Sequence, residues 1–155
     1  MSAAPAKQRT RVLLVDDHLL VRKSLSRLLS LQEDLVVCGE AATADEGAEA
    51  AFRLKPDLAI VDLTLGAESG LPLISRLLEQ VPGLQVLVLS MHDEEVFALP
   101  AMEAGARGFV MKQMATNHLF KAIREVLAGR LYFSARLLES HSALGSNGAV
   151  PHGLA

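Results

Sequence analysis

Apolar residues in this chain gather into five short, unbroken runs: RVLLVD (11–16), LVVCGEA (35–41), DLAIVD (57–62), LQVLVLS (84–90) and RGFVM (107–111). Each is of strand length and rich in Val, Ile and Leu without polar alternation, as a parallel strand covered on both faces requires. Between the runs the apolar period changes to that of a helix. Val21, Leu25, Leu28 and Leu29 share one face, Ile74, Leu77, Leu78 and Val81 another, and Leu119, Ile123, Val126 and Leu127 a third. Boundary signals agree with this reading. Thr43 and Glu46 have the spacing of a capping box, Pro72 suits a first helical turn after Gly70, and Gly129 follows the last periodic residue as a C-terminal cap would.

Strands and helices in this alternation predict an α/β fold: a parallel sheet with right-handed crossovers and helices on both faces. Among doubly wound arrangements, five βα units suit the flavodoxin-like order 2-1-3-4-5, whose crevice opens at the carboxyl ends of strands one and three. Two segments resist the pattern. Pro100 falls inside DEEVFALPAMEAG, where a fourth helix belongs, so a kink or a helix beginning only near Leu99 is expected. After Gly129 comes an apolar stretch, LYFSARLLES, and then HSALGSNGAVPHGLA, whose Gly, Ala and Ser content reads as a flexible linker over residues 140–155. The expected division is a disordered start (1–10), one domain (11–130) and a C-terminal extension and linker (131–155).

Composition narrows the classes. A chain of 155 residues, half of them apolar, suits one domain with a substantial core. With 15 basic against 18 acidic residues the formal charge is -3, so the chain as a whole lacks the electrostatic footprint of a nucleic-acid binder. The single cysteine, Cys38, lies in an apolar run and reads as a small hydrophobe rather than a reactive thiol. No secretory pattern and no apolar run long enough for a bilayer is found, so a soluble cytoplasmic protein without membrane contact is expected.

The chemistry concentrates where strands one and three end. Asp16, Asp17 and Asp62 converge on one crevice, and three carboxylates there repel one another unless a cation joins them. Mg²⁺ is the natural candidate, being a hard ion that takes oxygen ligands and bridges carboxylate to phosphate. His18, His92, His118, His141 and His152 show no paired ligand spacing and read as surface or cap residues. Ser90 ends the fourth run and Lys112 follows the fifth, so both emerge on the same sheet edge, where a hydroxyl and an ammonium can hold phosphoryl oxygens. An aspartate in that setting can itself be the nucleophile.

Four segments in order, VLLVDDH, PDLAIVDLTLGAESG, VLVLSMHDEE and AGARGFVMK, resemble the motifs of receiver domains of bacterial two-component response regulators, over about residues 11 to 130. The wording SMHDEE and AGARGFVMK, with GRLYFS after the last helix, resembles most the NarL/FixJ (LuxR-type) subfamily, whose members usually continue into a helix-turn-helix DNA-binding domain. The resemblance implies a CheY-like fold and phosphorylation of Asp62 by a sensor histidine kinase. It implies that Asp17, Asp62 and the backbone carbonyl of Thr64 hold Mg²⁺, with Asp16 acting through water. It also implies that Ser90 and Lys112 bind the phosphoryl group, and that Phe109 changes rotamer as Ser90 moves, though a plain core phenylalanine is an equal reading. Homodimerisation on phosphorylation, and DNA contact only through a domain beyond this chain, complete the expectation. The pattern departs from the family in three places. Gly66 stands where proline is frequent, which suggests a freer loop. Gln113 replaces a proline that is often cis, leaving a cis bond at a cost of about 2.5–4 kcal/mol. Pro100 interrupts the fourth helix.

Rival readings remain. An aspartate-nucleophile phosphatase of the haloacid dehalogenase type would need an acid two residues after Asp62, where Thr64 stands. A flavodoxin would cradle phosphate after strand one, where Asp16 and Asp17 would repel it. A receiver acting alone through protein contacts also fits. On any receiver reading the chain assists its own phosphotransfer and is not a turnover enzyme.

Overall fold

The computed structural model describes residues 8–146. Five parallel strands form one sheet: β1 (Thr10–Val15), β2 (Leu35–Ala41), β3 (Leu58–Val61), β6 (Gln85–Ser90) and β7 (Gly108–Met111). Their spatial order is β2-β1-β3-β6-β7, the 2-1-3-4-5 arrangement once the small hairpin β4 (Thr64–Leu65) and β5 (Glu68–Ser69) is set aside. The helices are α1 (Leu19–Ser30), α2 (Ala44–Leu54), α3 (Leu71–Gln80), α4 (Glu94–Ala104), α5 (Ala115–Leu127) and α6 (Ala135–Ser146), with a 3₁₀ turn at Lys112–Met114 before α5.

Four of the apolar runs become largely buried strands because both sheet faces are covered, while the edge strand β2 is half-buried between Leu35 and Ala41. Leu13, Val15, Ala59, Val61, Val86, Val88 and Phe109 face one apolar layer, and Val12, Leu14, Leu58, Ile60, Leu87, Leu89 and Val110 face the other. Leu119, Ile123 and Val126 of α5 and Leu25 and Leu29 of α1 close the second layer. Each fully buried aliphatic side chain contributes about 1.5–3 kcal/mol by leaving water.

The boundary signals act as read. Thr43 accepts a hydrogen bond from Glu46 N–H at 3.1 Å, while the Glu46 carboxylate accepts from Ala42 N–H at 2.9 Å. Pro72 lies in the first turn of α3, and Gly129 follows Ala128, the cap of α5, with φ 88°. Cys38 is half-buried in β2, and burial pushes its thiol up from the ordinary range.

Two expectations are corrected, the late start of the fourth helix and the coil from residue 140, while the Lys112–Gln113 bond and the loop after Asp62 take defined forms. Helix α4 begins at Glu94, not near Leu99, because Asp93 caps it by accepting from Glu95 N–H at 2.9 Å. Pro100 lies within it, where its ring removes the N–H that would pair with the carbonyl of Val96, an exposed residue. The Lys112–Gln113 bond is trans, as are all described peptide bonds. The loop after Asp62 is a hairpin, closed by the pairs Thr64↔Ser69 and Leu65↔Glu68. The coil expected from residue 140 is helix as far as Ser146; residues 147–155 lie outside the described residues, as do 1–7 of the start expected to be disordered, whereas Thr10 is already in β1.

The C-terminal extension packs on the domain. Tyr132 lies along the outer edge of β7, donating its N–H to Arg107 O and accepting from Phe109 N–H, both at 2.9 Å. Phe133 is buried and Leu137 and Leu138 pack on the first apolar layer. Ser134 caps α6 by accepting from Leu137 N–H at 3.2 Å. Its own N–H donates to Glu94, and Arg136 pairs with Glu95 at 3.1 Å.

Gly70 lies tight against main chain. A Cβ there would sit 2.3 Å from the Asp62 carbonyl oxygen and 3.0 Å from Leu63 Cα, both main-chain atoms. Gly70→Ala is expected to cost about 1–3 kcal/mol of stability, measured by urea unfolding, because backbone rather than a movable side chain must yield.

Candidate functional site

The strand ends bring four predicted residues together. Asp16 and Asp17 follow β1, Asp62 follows β3, and Lys112 follows β7 at the start of the 3₁₀ turn. Asp16 and Asp62 are almost wholly buried. Lys112 Nζ lies 2.8 Å from Asp16 Oδ2 and 2.9 Å from Asp62 Oδ2, bridging the two carboxylates. The other Asp62 oxygen accepts from Thr64 N–H at 3.1 Å.

Asp17 is held differently. Its Oδ2 accepts from Gly66 N–H at 2.8 Å, whereas Oδ1 is buried without a hydrogen-bond partner. His18 Nδ1 lies 3.2 Å from that Oδ1, out of line for a hydrogen bond, and 3.3 Å from Asp16 Oδ1. One ligand atom each from Asp16, Asp17, His18 and Asp62 can be chosen so that all lie within 4.8 Å of one another. An octahedral Mg²⁺ with oxygens at about 2.1 Å sets trans ligands about 4.2 Å apart, so a contraction of about half an ångström would bring the carboxylate oxygens onto such an ion, and the orphaned Asp17 oxygen is of the hard type it takes.

Ser90 and Phe109 stand on neighbouring strands, paired as Val88↔Phe109 and Ser90↔Met111. Ser90 is fully buried at the end of β6, its hydroxyl accepting from His92 N–H at 3.0 Å. Phe109 is buried in the first apolar layer beside a cavity of about 290 Å³ shared with His118, Tyr132 and Phe133. Thr64 is exposed in β4, and its hydroxyl meets His92 Nε2 at 2.7 Å.

Sequence reasoning passed over several of these partners. His18 caps the start of α1 by position, yet its ring joins the acidic pair; only its place in VLLVDDH hinted at that. Arg22 donates to the Asp16 carbonyl at 2.6 Å and to Glu40 at 3.0 Å, fixing the end of β1 from α1 and β2. Nothing in the spacing of residues 16, 22 and 40 announces it.

Comparison with known proteins decides the family. The model for the response regulator receiver domain matches residues 12–124. The chain belongs to the response regulator receiver family. It is 34% identical over 131 residues to the oxygen regulatory protein NreC of Staphylococcus haemolyticus, covering 84% of this chain and 60% of that protein. It is 33% identical to the nitrate/nitrite response regulator protein NarL of Escherichia coli K12, covering 81% and 58%. A crystal structure of a LuxR-family two-component response regulator from Aurantimonas superposes with TM-score 0.78 at 34% identity, covering 85% of this chain and 94% of that one. The chain is therefore a receiver of the NarL/LuxR type, and it spans about 60% of the length of the curated relatives it matches. Among the described residues no helix is long and apolar enough to cross a membrane.

Electrostatics at this receiver site follow from one ammonium serving several carboxylates. Burial pushes the Asp62 carboxyl above the ordinary range, with Lys112 and Thr64 N–H pulling it back. Burial works against the Lys112 ammonium, but its bonds to Asp16 and Asp62 outweigh that and raise it. A carboxyl whose folded pKa lies above its unfolded one favours folding while protonated and costs stability once the pH has risen past both values. At neutral pH without metal, ionised Asp62 is thus a net cost, and Asp62→Asn should raise the melting temperature; a fall would contradict this balance. Lys112→Met should lower stability in EDTA by about 3 kcal/mol, since it strands two buried carboxylates, and added Mg²⁺ should recover part of the loss in thermal melts.

Proposed function

We propose that this receiver accepts a phosphoryl group from a sensor histidine kinase on Asp62, with Mg²⁺, and passes the change to an output that regulates transcription. The observation that carries the reading is the buried Asp62 carboxylate, clamped by Lys112 and Thr64 N–H beside an Asp17 oxygen that has no partner.

Asp17 and Asp62, with the Thr64 carbonyl, are the residues that would hold the ion, and Asp16 would act on it through water. Charge neutralisation on the phosphoryl oxygens is the chemistry such an ion would supply there. Asp62 supplies the attacking oxygen: its bond to phosphorus forms as the donor's P–N bond breaks, and the donor imidazole leaves with the electron pair. Lys112, already 2.9 Å from Asp62, moves with little travel onto an oxygen of the transferred group. Ser90 donates its hydroxyl hydrogen to another, which draws on the loop that begins α4 and gives Phe109 cause to change rotamer.

That loop has a receiver of its own motion. The first turn of α4 holds the start of α6 through Glu94 to Ser134 N–H and Glu95 to Arg136, so displacement of the α4 start alters the hold on the extension. The new contacts bias the switch only by their differential free energy. Dimerisation, or freeing of a DNA-binding domain of the kind usual in the subfamily, is the output on this reading. The chain acts as acceptor, not as a turnover enzyme on an external substrate.

Intact-mass measurement after incubation with Mg²⁺ and acetyl phosphate tests this. The parent should gain one phosphoryl group, and Asp62→Asn should gain none. Equal labelling of the variant, or turnover of an added phosphomonoester, would overturn the assignment.

A further inference from the structure

Gly66 occupies the position where the family resemblance leads one to expect proline. It is the first of the two residues that turn β4 into β5, with φ 64°, a left-handed conformation that proline cannot adopt. Proline would also lack the N–H, and here that N–H is used. It donates at 2.8 Å to Asp17 Oδ2, across a gap of 49 residues in sequence, and ties the hairpin tip to the end of β1.

The bond divides the work of the Asp17 carboxylate. Oδ2 is taken by the main chain, while Oδ1 is buried with no hydrogen-bond partner. A free carboxylate rotates about its terminal torsion, and an ion that captures it must first fix that rotation. With Oδ2 anchored, the rotation is already stopped and the remaining oxygen is the one left for a cation. Second-layer hydrogen bonds of this kind, which orient a ligand without touching the metal, typically change metal affinity by 10–100-fold when removed.

We infer that the main-chain N–H of Gly66 is a positioning group for the divalent-metal site: by holding Asp17 Oδ2 it presents Asp17 Oδ1 to the ion. The inference rests on the reading of Asp17 as a ligand of Mg²⁺ and adds the group that orients it. In this chain the hairpin does by a hydrogen bond what a stiff proline loop would have to do by shape alone. Residue 66 therefore meets two demands at once, a left-handed φ and a main-chain donor.

The two reasons are separable. An amide-to-ester replacement at the 65–66 linkage, made by ligation, deletes the N–H while leaving the residue at 66 without a side chain. Gly66→Asn keeps the N–H in a residue that tolerates the left-handed region, and a Cβ at 66 meets nothing closer than Asp17 Oδ2 at 4.0 Å. Mg²⁺ affinity is measured by titration calorimetry on the full chain, with Asp17→Asn as the variant lacking the ligand. The ester should bind Mg²⁺ about 10-fold or more weakly while Gly66→Asn stays close to the parent. Unchanged affinity in the ester would overturn the inference. So would an equal loss in both variants, because the backbone shape, not the donor, would then be the cause. A parent that binds no Mg²⁺ would instead sink the underlying metal reading, a failure visible before any variant is compared.

Discussion

Three carboxylates and one ammonium meet at the carboxyl edge of the sheet, and that unequal count governs the rest of the site. Asp16 and Asp62 share Lys112, and Asp17 is left with an oxygen that no protein hydrogen bond satisfies. Burying such a set costs stability unless further positive charge arrives. The parallel sheet is what forces the meeting. Strands β1, β3 and β7 all point their carboxyl ends the same way, so whatever follows each apolar run is delivered to one rim. The arrangement leaves a cluster of acids that could hold a cation.

Around that centre single hydrogen bonds tie the loops. Arg22 from α1 holds the Asp16 main-chain carbonyl, Gly66 N–H holds the Asp17 carboxylate across 49 residues, and Thr64 N–H holds the Asp62 carboxylate within its own loop. Ser90 and His92 link the β6–α4 loop to the hairpin through Thr64. From there Glu94 and Glu95 reach the C-terminal extension, which also lies along β7 beside Phe109. The extension thus touches β7, which carries Phe109, and the first turn of α4, which follows the loop after Ser90. A shift at Asp62 has a short, physically continuous route to the last helix.

The parts legible in the sequence are those set by local chemistry. Runs such as LAIV and QVLVLS lack polar alternation because they are covered on both faces, and the acids follow them because the runs end at the rim. The Thr43–Glu46 box and Pro72 speak for themselves at helix starts. What could not be read depends on distant partners. Strands of two residues, as in the hairpin, are too short to show a period. Helix α6 contains Ser140, Ser142 and Gly145, whose composition suggests coil; docking of Leu137 and Leu138 and the Ser134 cap supply what propensity does not. Pro100 suggested a late helix start because a proline in a helix interior is unfavourable, whereas the Asp93 cap sets the start at Glu94. His18 looked like a cap because its neighbours in space are its neighbours in sequence, and only geometry shows the ring beside both acids.

The central claim, that the three acids form one site for a divalent ion, is tested most directly by a crystal structure grown with Mn²⁺ in place of Mg²⁺, the ion located by its anomalous scattering. The account predicts a single ion bound by carboxylate oxygens of both Asp17 and Asp62. An acidic cluster with no ion in it, or an ion on Asp17 alone while Lys112 still bridges Asp16 and Asp62, would contradict it.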